Sequence, residues 1–130
     1  MPRPPARRAN NPASIRKYLA HSQEARLKVM EMFRAQLDLD DLLEDVKHED
    51  GLFASILDVA ASEYGVRYQD LAERIGMSPA AVGRWAKQTN LPVPLMRPLV
   101  IEKIAELLDE ELQRQKDMKP ILKRGRIYIS

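Results

Sequence analysis

The chain has 130 residues, a formal net charge of +2, a pI near 9.0, two histidines and no cysteine. The lack of cysteine excludes disulfides and thiolate metal sites and fits a reducing compartment, so the expected location is the cytoplasm, associated with the nucleoid. No run approaches the roughly 20 apolar residues of a membrane helix, and no apolar stretch follows the basic N-terminus, so neither a span nor a secretory signal is expected.

Residues 1–11 contain three prolines and no apolar periodicity, and read as a flexible basic arm. Asn11-Pro12 supplies a cap and first helical position for a short helix carrying Ile15, Tyr18 and Leu19. A second helix begins near Ser22, with Leu27, Met30, Phe33 and Leu37 as one apolar stripe. After a break at Asp38 and Asp40, the residues Leu39, Leu42, Leu43 and Val46 make a third short helix. Residues 12–48 thus form an N-terminal helical segment for dimerisation or packing.

A helix from about Gly51 to Tyr64 buries Phe53, Ile56, Leu57 and Ala60. Two short helices follow between Gln69 and Trp85, broken by a tight turn. Leu71, Ala72 and Ile75 share one side of the first. Gly76 supplies left-handed backbone to end it, and Met77 is an apolar plug. Ser78 is an N-cap and Pro79 suits the first position of the next helix, whose inward face is Val82, Trp85 and Ala86. Asn90-Leu91-Pro92-Val93-Pro94 is a proline-bounded loop. An amphipathic helix from roughly Pro98 to Lys116 carries Leu99, Val100, Ile104, Leu107, Leu108 and Leu112. Residues 117–130 are a basic C-terminal tail ending in a β-like run, Arg126-Ile127-Tyr128-Ile129, too short to form a sheet alone. The fold class is all-α.

Charge is distributed unevenly. Residues 1–17 carry Arg3, Arg7, Arg8, Arg16 and Lys17 without an acid, a net +5, whereas residues 18–50 total −5. Residues 67–103 return to +3, so the two-helix unit and both termini are basic around an acidic segment. Such polarity suits a protein that presents one face to phosphate.

Two short helices joined by a glycine-containing turn form the unit that DNA-binding proteins use to place a helix in the major groove. The pattern Gln69-x-Leu71-Ala72-x-x-Ile75-Gly76-Met77-Ser78, followed by Val82, Arg84 and Trp85, resembles the lambda repressor/Cro-like helix-turn-helix family. Pro92 and then Ile104-Ala105-x-Leu107-Leu108 are similar to that family's closing helix. The resemblance covers roughly Gly51 to Glu111. It implies a helix-turn-helix bundle with an additional N-terminal helical segment, the DNA-binding domain spanning residues 51–116. Two departures are visible: Tyr68 stands where the family usually has a capping Ser or Thr, and Gly83 weakens the recognition helix by about 1 kcal/mol relative to Ala.

The inward face leaves Pro79, Ala80, Gly83, Arg84 and Lys87 pointing outward. Arg84 is the best base reader, because a guanidinium bonds guanine O6 and N7 together. Ala80 can pack on a thymine methyl, and Gly83 lets the helix sit deep in the groove. Lys87 and Gln88 lie later, at phosphate. The resemblance puts Gln69 at the start of the preceding helix, against a phosphate, with Arg67, Tyr68 and the helix cap Ser78 completing the set. Trp85 reads as core, and His21 and His48 as surface residues without partners for a metal or catalytic site. The carboxylates of residues 38–50 lack the spacing of a metal loop. No catalytic constellation and no cofactor signature is found, so an enzyme is not expected.

The expected function is sequence-specific binding of double-stranded DNA by a transcriptional regulator, a dimeric repressor of bacterial or phage type. Two-fold pairing predicts an inverted-repeat site. The Leu27–Leu37 stripe or the Pro98–Lys116 helix is available for the homodimer, or for folding back onto the module. Two alternatives stay open: a protein-interaction adaptor whose helix-turn-helix is structural, with a partner on the N-terminal segment, and a phage DNA-packaging recognition subunit.

Overall fold

Proline at the first position of a helix and glycine just past its end punctuate this chain. The computed structural model describes residues 12–124, with side chains described for residues 21–118. Among these residues the protein is all-α, 83% helix with no strand. The helices are α1 (Pro12–Gln36), α2 (Asp40–His48), α3 (Asp50–Tyr64), α4 (Tyr68–Ile75), α5 (Pro79–Ala86) and α6 (Arg97–Arg124). A 3-10 turn, Pro94–Met96, leads into α6. The arm of residues 1–11, the Arg126-Ile127-Tyr128-Ile129 run and the side chains of Ile15, Tyr18 and Leu19 lie outside the described residues.

Two helices outrun their sequence signals. The break expected at Ser22 is absent, and α1 is one helix of 25 residues. No glycine or proline follows Pro12 within it, and a serine in a helix interior costs only about 0.5 kcal/mol. At the other end, α6 continues past Lys116 to Arg124, so residues 117–124 extend that helix instead of opening a tail. Pro120 deletes a single backbone donor, and the helix runs through it.

Ion pairs show how the two long helices lie. Arg34 bonds Asp109 through Nε and Nη2 at 2.8 and 3.2 Å, and Lys116 meets Glu31 at 2.8 Å. The later residue of α1 thus meets the earlier residue of α6, and the pair is antiparallel. Between them Leu27, Met30 and Leu37 are buried in the same apolar cluster as Phe53, Leu57, Leu71, Val82, Trp85, Ile101, Ile104 and Leu108. The Phe33 ring packs on Tyr64, centroids 5.1 Å apart. The Leu27–Leu37 stripe therefore folds back onto the module, and the N-terminal segment shares its core.

Several apolar side chains face the other way from the expectation. Leu39 is exposed on extended backbone just ahead of α2. Leu99 lies away from the stripe of Val100, Ile101 and Ile104 and is also exposed. Met77 is no plug: its side chain is 41% exposed, while its N–H bonds the Ala72 carbonyl at 2.9 Å. The backbone at Met77, not the side chain, closes the turn. No described helix is long and apolar enough to cross a membrane.

Candidate nucleic-acid interface

The surface around α4 and α5 is set by glycine, serine and proline. Gly65 ends α3 with φ 79°. Its N–H bonds Ala61 O at 3.3 Å, the bond of a simple left-handed cap, and the Val66 N–H reaches Ala60 O at 3.0 Å. Gly76 ends α4 with φ 73°, its N–H donating to Ala72 O. Ser78 then caps α5: its hydroxyl oxygen accepts from the Ala81 N–H at 3.1 Å, and Pro79 occupies the first turn. The Ser78 hydroxyl is thus engaged within the fold, although the residue is exposed.

The N-terminus of α4 is handled differently. Arg67 occupies the N-cap position without any side-chain cap. Its Nη2 donates to Gln69 Oε1 at 3.3 Å and its Nε lies 3.8 Å from Asp70. The first-turn N–H groups of α4 therefore have no capping side chain, which leaves the positive end of the helix open to an anion. Arg67 and Gln69 are both exposed beside it.

On α5, Ala81, Val82 and Trp85 are buried, the Trp85 ring tilted against Phe53 at 6.3 Å. Pro79, Ala80 and Arg84 are exposed, as are Lys87 and Gln88 just beyond. Gly83 and Tyr68 are half-buried against each other, because a Cβ at Gly83 would stand 4.0 Å from Tyr68 Cδ2. The Tyr68 ring packs partly buried against the core. Burial holds its phenol above the ordinary value, with Asp58 acting in the same direction, so at neutral pH the hydroxyl remains a donor. Gln88 and Asn90 adopt left-handed backbone, φ 63° and 50°, in the turn that leaves α5. That turn is tied back by Thr89, whose N–H and hydroxyl both donate to Arg84 O, at 2.8 and 2.9 Å.

Much of the positive charge counted for this region is consumed internally. Arg74 bridges α4 to Glu106 and Glu110 of α6. Lys103 pairs with Glu106 at 3.2 Å. Arg97 is 5% exposed and was missed as a core residue. Its Nε donates to Pro92 O at 3.0 Å, and its Nη1 to Val46 O and Asp50 Oδ1 at 3.1 and 2.8 Å. The guanidinium sits 5.8 Å from the Phe53 ring centroid. Arg97 therefore latches the α2–α3 junction to the proline loop. No local sequence signal marks it, since two of its partners, Val46 O and the Asp50 carboxylate, lie 51 and 47 residues away along the chain.

Arg84 stands apart from this pattern. Every other arginine with a described side chain is held by a hydrogen bond or ion pair: Arg26 on Glu63 O, Arg114 on Glu111, and Arg34, Arg67, Arg74 and Arg97 as above. Arg84 donates to nothing among the described residues. With Lys87 one turn on, it presents unpaired positive charge on the outer face of α5. His48 is engaged with Glu44 at 3.1 Å, and no group of three or more His, Asp or Glu among the described residues is placed to hold a metal ion. No protein-family model matches the sequence, and comparisons with characterised proteins and with solved structures return no match.

Proposed function

We propose that this chain binds double-stranded DNA sequence-specifically as a regulator of the lambda repressor/Cro-like type, inserting α5 into the major groove as a homodimer. The observation that carries this reading is the free Arg84 guanidinium, exposed on a helix whose other face is locked into the core. An unpaired arginine reads guanine through two parallel hydrogen bonds, worth about 1–3 kcal/mol against a wrong base. The uncapped start of α4, with Arg67 and Gln69 beside it, is suited to a backbone phosphate. Lys87 and Gln88 are candidates for the neighbouring phosphates. Repression by occlusion requires nothing beyond binding.

One observation favours a second reading, an adaptor in which the two-helix unit is structural: Pro79, Ala80 and Gly83 bring no hydrogen-bonding side chain to the outer face of α5. Arg84→Glu separates the two. Under the DNA reading it reduces affinity for a selected duplex by at least a hundredfold and leaves the melting temperature unchanged, since the exposed side chain makes no hydrogen bond or ion pair among the described residues. Unchanged DNA affinity would leave the adaptor reading in possession.

A further inference from the structure

Where α1 meets the start of α6, the apolar surface is incomplete. A groove of about 580 Å³ there has Leu37, Leu43, Pro98 and Leu99 in its walls. Leu99 is 45% exposed, and Leu95, on the approach to α6, is the most exposed large apolar side chain described, at 82%. The groove is also acidic. Asp38, Glu102 and Glu106 line it against one cation, Arg34, which is bonded to both Asp38 and Asp109. Glu106 is shared with Lys103 and Arg74, but Glu102 has no partner among the described residues. A fitting occupant is apolar and flanked by positive charge.

The C-terminal segment Lys123-Arg124-Gly125-Arg126-Ile127-Tyr128-Ile129 brings an apolar run directly behind three cations. It cannot serve its own groove. From Leu99 to Arg124, α6 rises about 38 Å at 1.5 Å per residue, and the four residues from Arg124 to Tyr128 span at most about 14 Å. We propose that the groove of one copy takes the Ile127-Tyr128-Ile129 segment of a second copy, reciprocally, so that two chains lie with their α6 helices antiparallel. The exchange is isologous and closes as a dimer. It does not depend on DNA.

The absence of cysteine in the native chain makes the test direct. A chain carrying both Leu99→Cys and Tyr128→Cys is oxidised mildly at micromolar concentration without DNA, beside each single variant, and resolved on a non-reducing gel. The exchange predicts a covalent dimer at least tenfold above either single variant, slowed several-fold when Glu102→Lys is added. No cross-link, a cross-linked monomer, or equal dimer from Leu99→Cys alone would each overturn it; the last would mean that groove meets groove. Sedimentation of the otherwise native chain with Ile127→Asp and Ile129→Asp is the second reading, with circular dichroism as the folding control. A shift from dimer to monomer is expected, and no shift, whether the native chain is dimer or monomer, contradicts the proposal. Failure here leaves DNA binding by Arg84 untouched, because no step uses DNA.

Discussion

Gly76 and Gly83 are both glycines of the two-helix unit, yet they answer to different constraints. Gly76 has φ 73°, where any side chain is strained, so Gly76→Ala should cost about 1–2 kcal/mol and lower the melting temperature. Gly83 sits inside α5, and a Cβ there would make only an ordinary 4.0 Å contact with Tyr68. Gly83→Ala should therefore stabilise the fold by about 1 kcal/mol through helix propensity, read as a rise in the same melt. If both variants melt lower, the packing around Gly83 is tighter than described. Arg67 offers an opposed pair of readouts. It holds extended N-cap backbone, φ −86° and ψ 137°, with no cap bond. Arg67→Asp supplies the missing cap, worth about 1 kcal/mol, while removing a cation from the candidate phosphate site. Higher thermal stability together with weaker DNA binding is the expected result; unchanged affinity would remove Arg67 from the interface.

The helices of the unit were legible because their punctuation is local. Gly76, Ser78 and Pro79 each fix a boundary through their own backbone or cap chemistry, and the expected ends agree with α4 and α5. The long helices were less legible, since Ser22 carries the same cap chemistry mid-helix as at a start. Arg97, Leu99 and Leu39 were misplaced because burial at those positions is decided by which distant element covers them. The same holds for the α1–α6 clamp, whose charges are distant in sequence. The carboxylates of α6 predict an acid response. Glu106 is held below the usual range by Lys103 first and Arg74 after it. Burial pushes Glu111 upward, but Arg114, Gln115 and Arg26 of α1 together outweigh it and leave it lowered. A carboxylate depressed in the folded state adds stability above its unfolded value, near pH 4.3, and that stability is lost as pH falls through the folded value. The melting temperature should therefore be nearly flat from about pH 7 to pH 5 and fall below about pH 4.5. Glu111→Gln should flatten that fall, and an unaltered acid profile would place the sensitivity elsewhere.

At the scale of the whole molecule, α1 and α2 complete the core of the two-helix unit, so the stripe that could have paired two chains is already covered. A homodimer must use another surface. The DNA reading still requires pairing, because one recognition helix meets only a few base pairs and a two-fold dimer reads two half-sites about one helical turn apart. The free Arg84 is the central claim, and its most direct test is selection of bound duplexes from a random double-stranded pool at near-physiological salt, wild type beside Arg84→Ala. The account predicts an enriched inverted repeat in which one guanine position relaxes in the variant. Binding that enriches nothing and simply fades as salt rises, alike in both proteins, would contradict it, leaving only phosphate attraction.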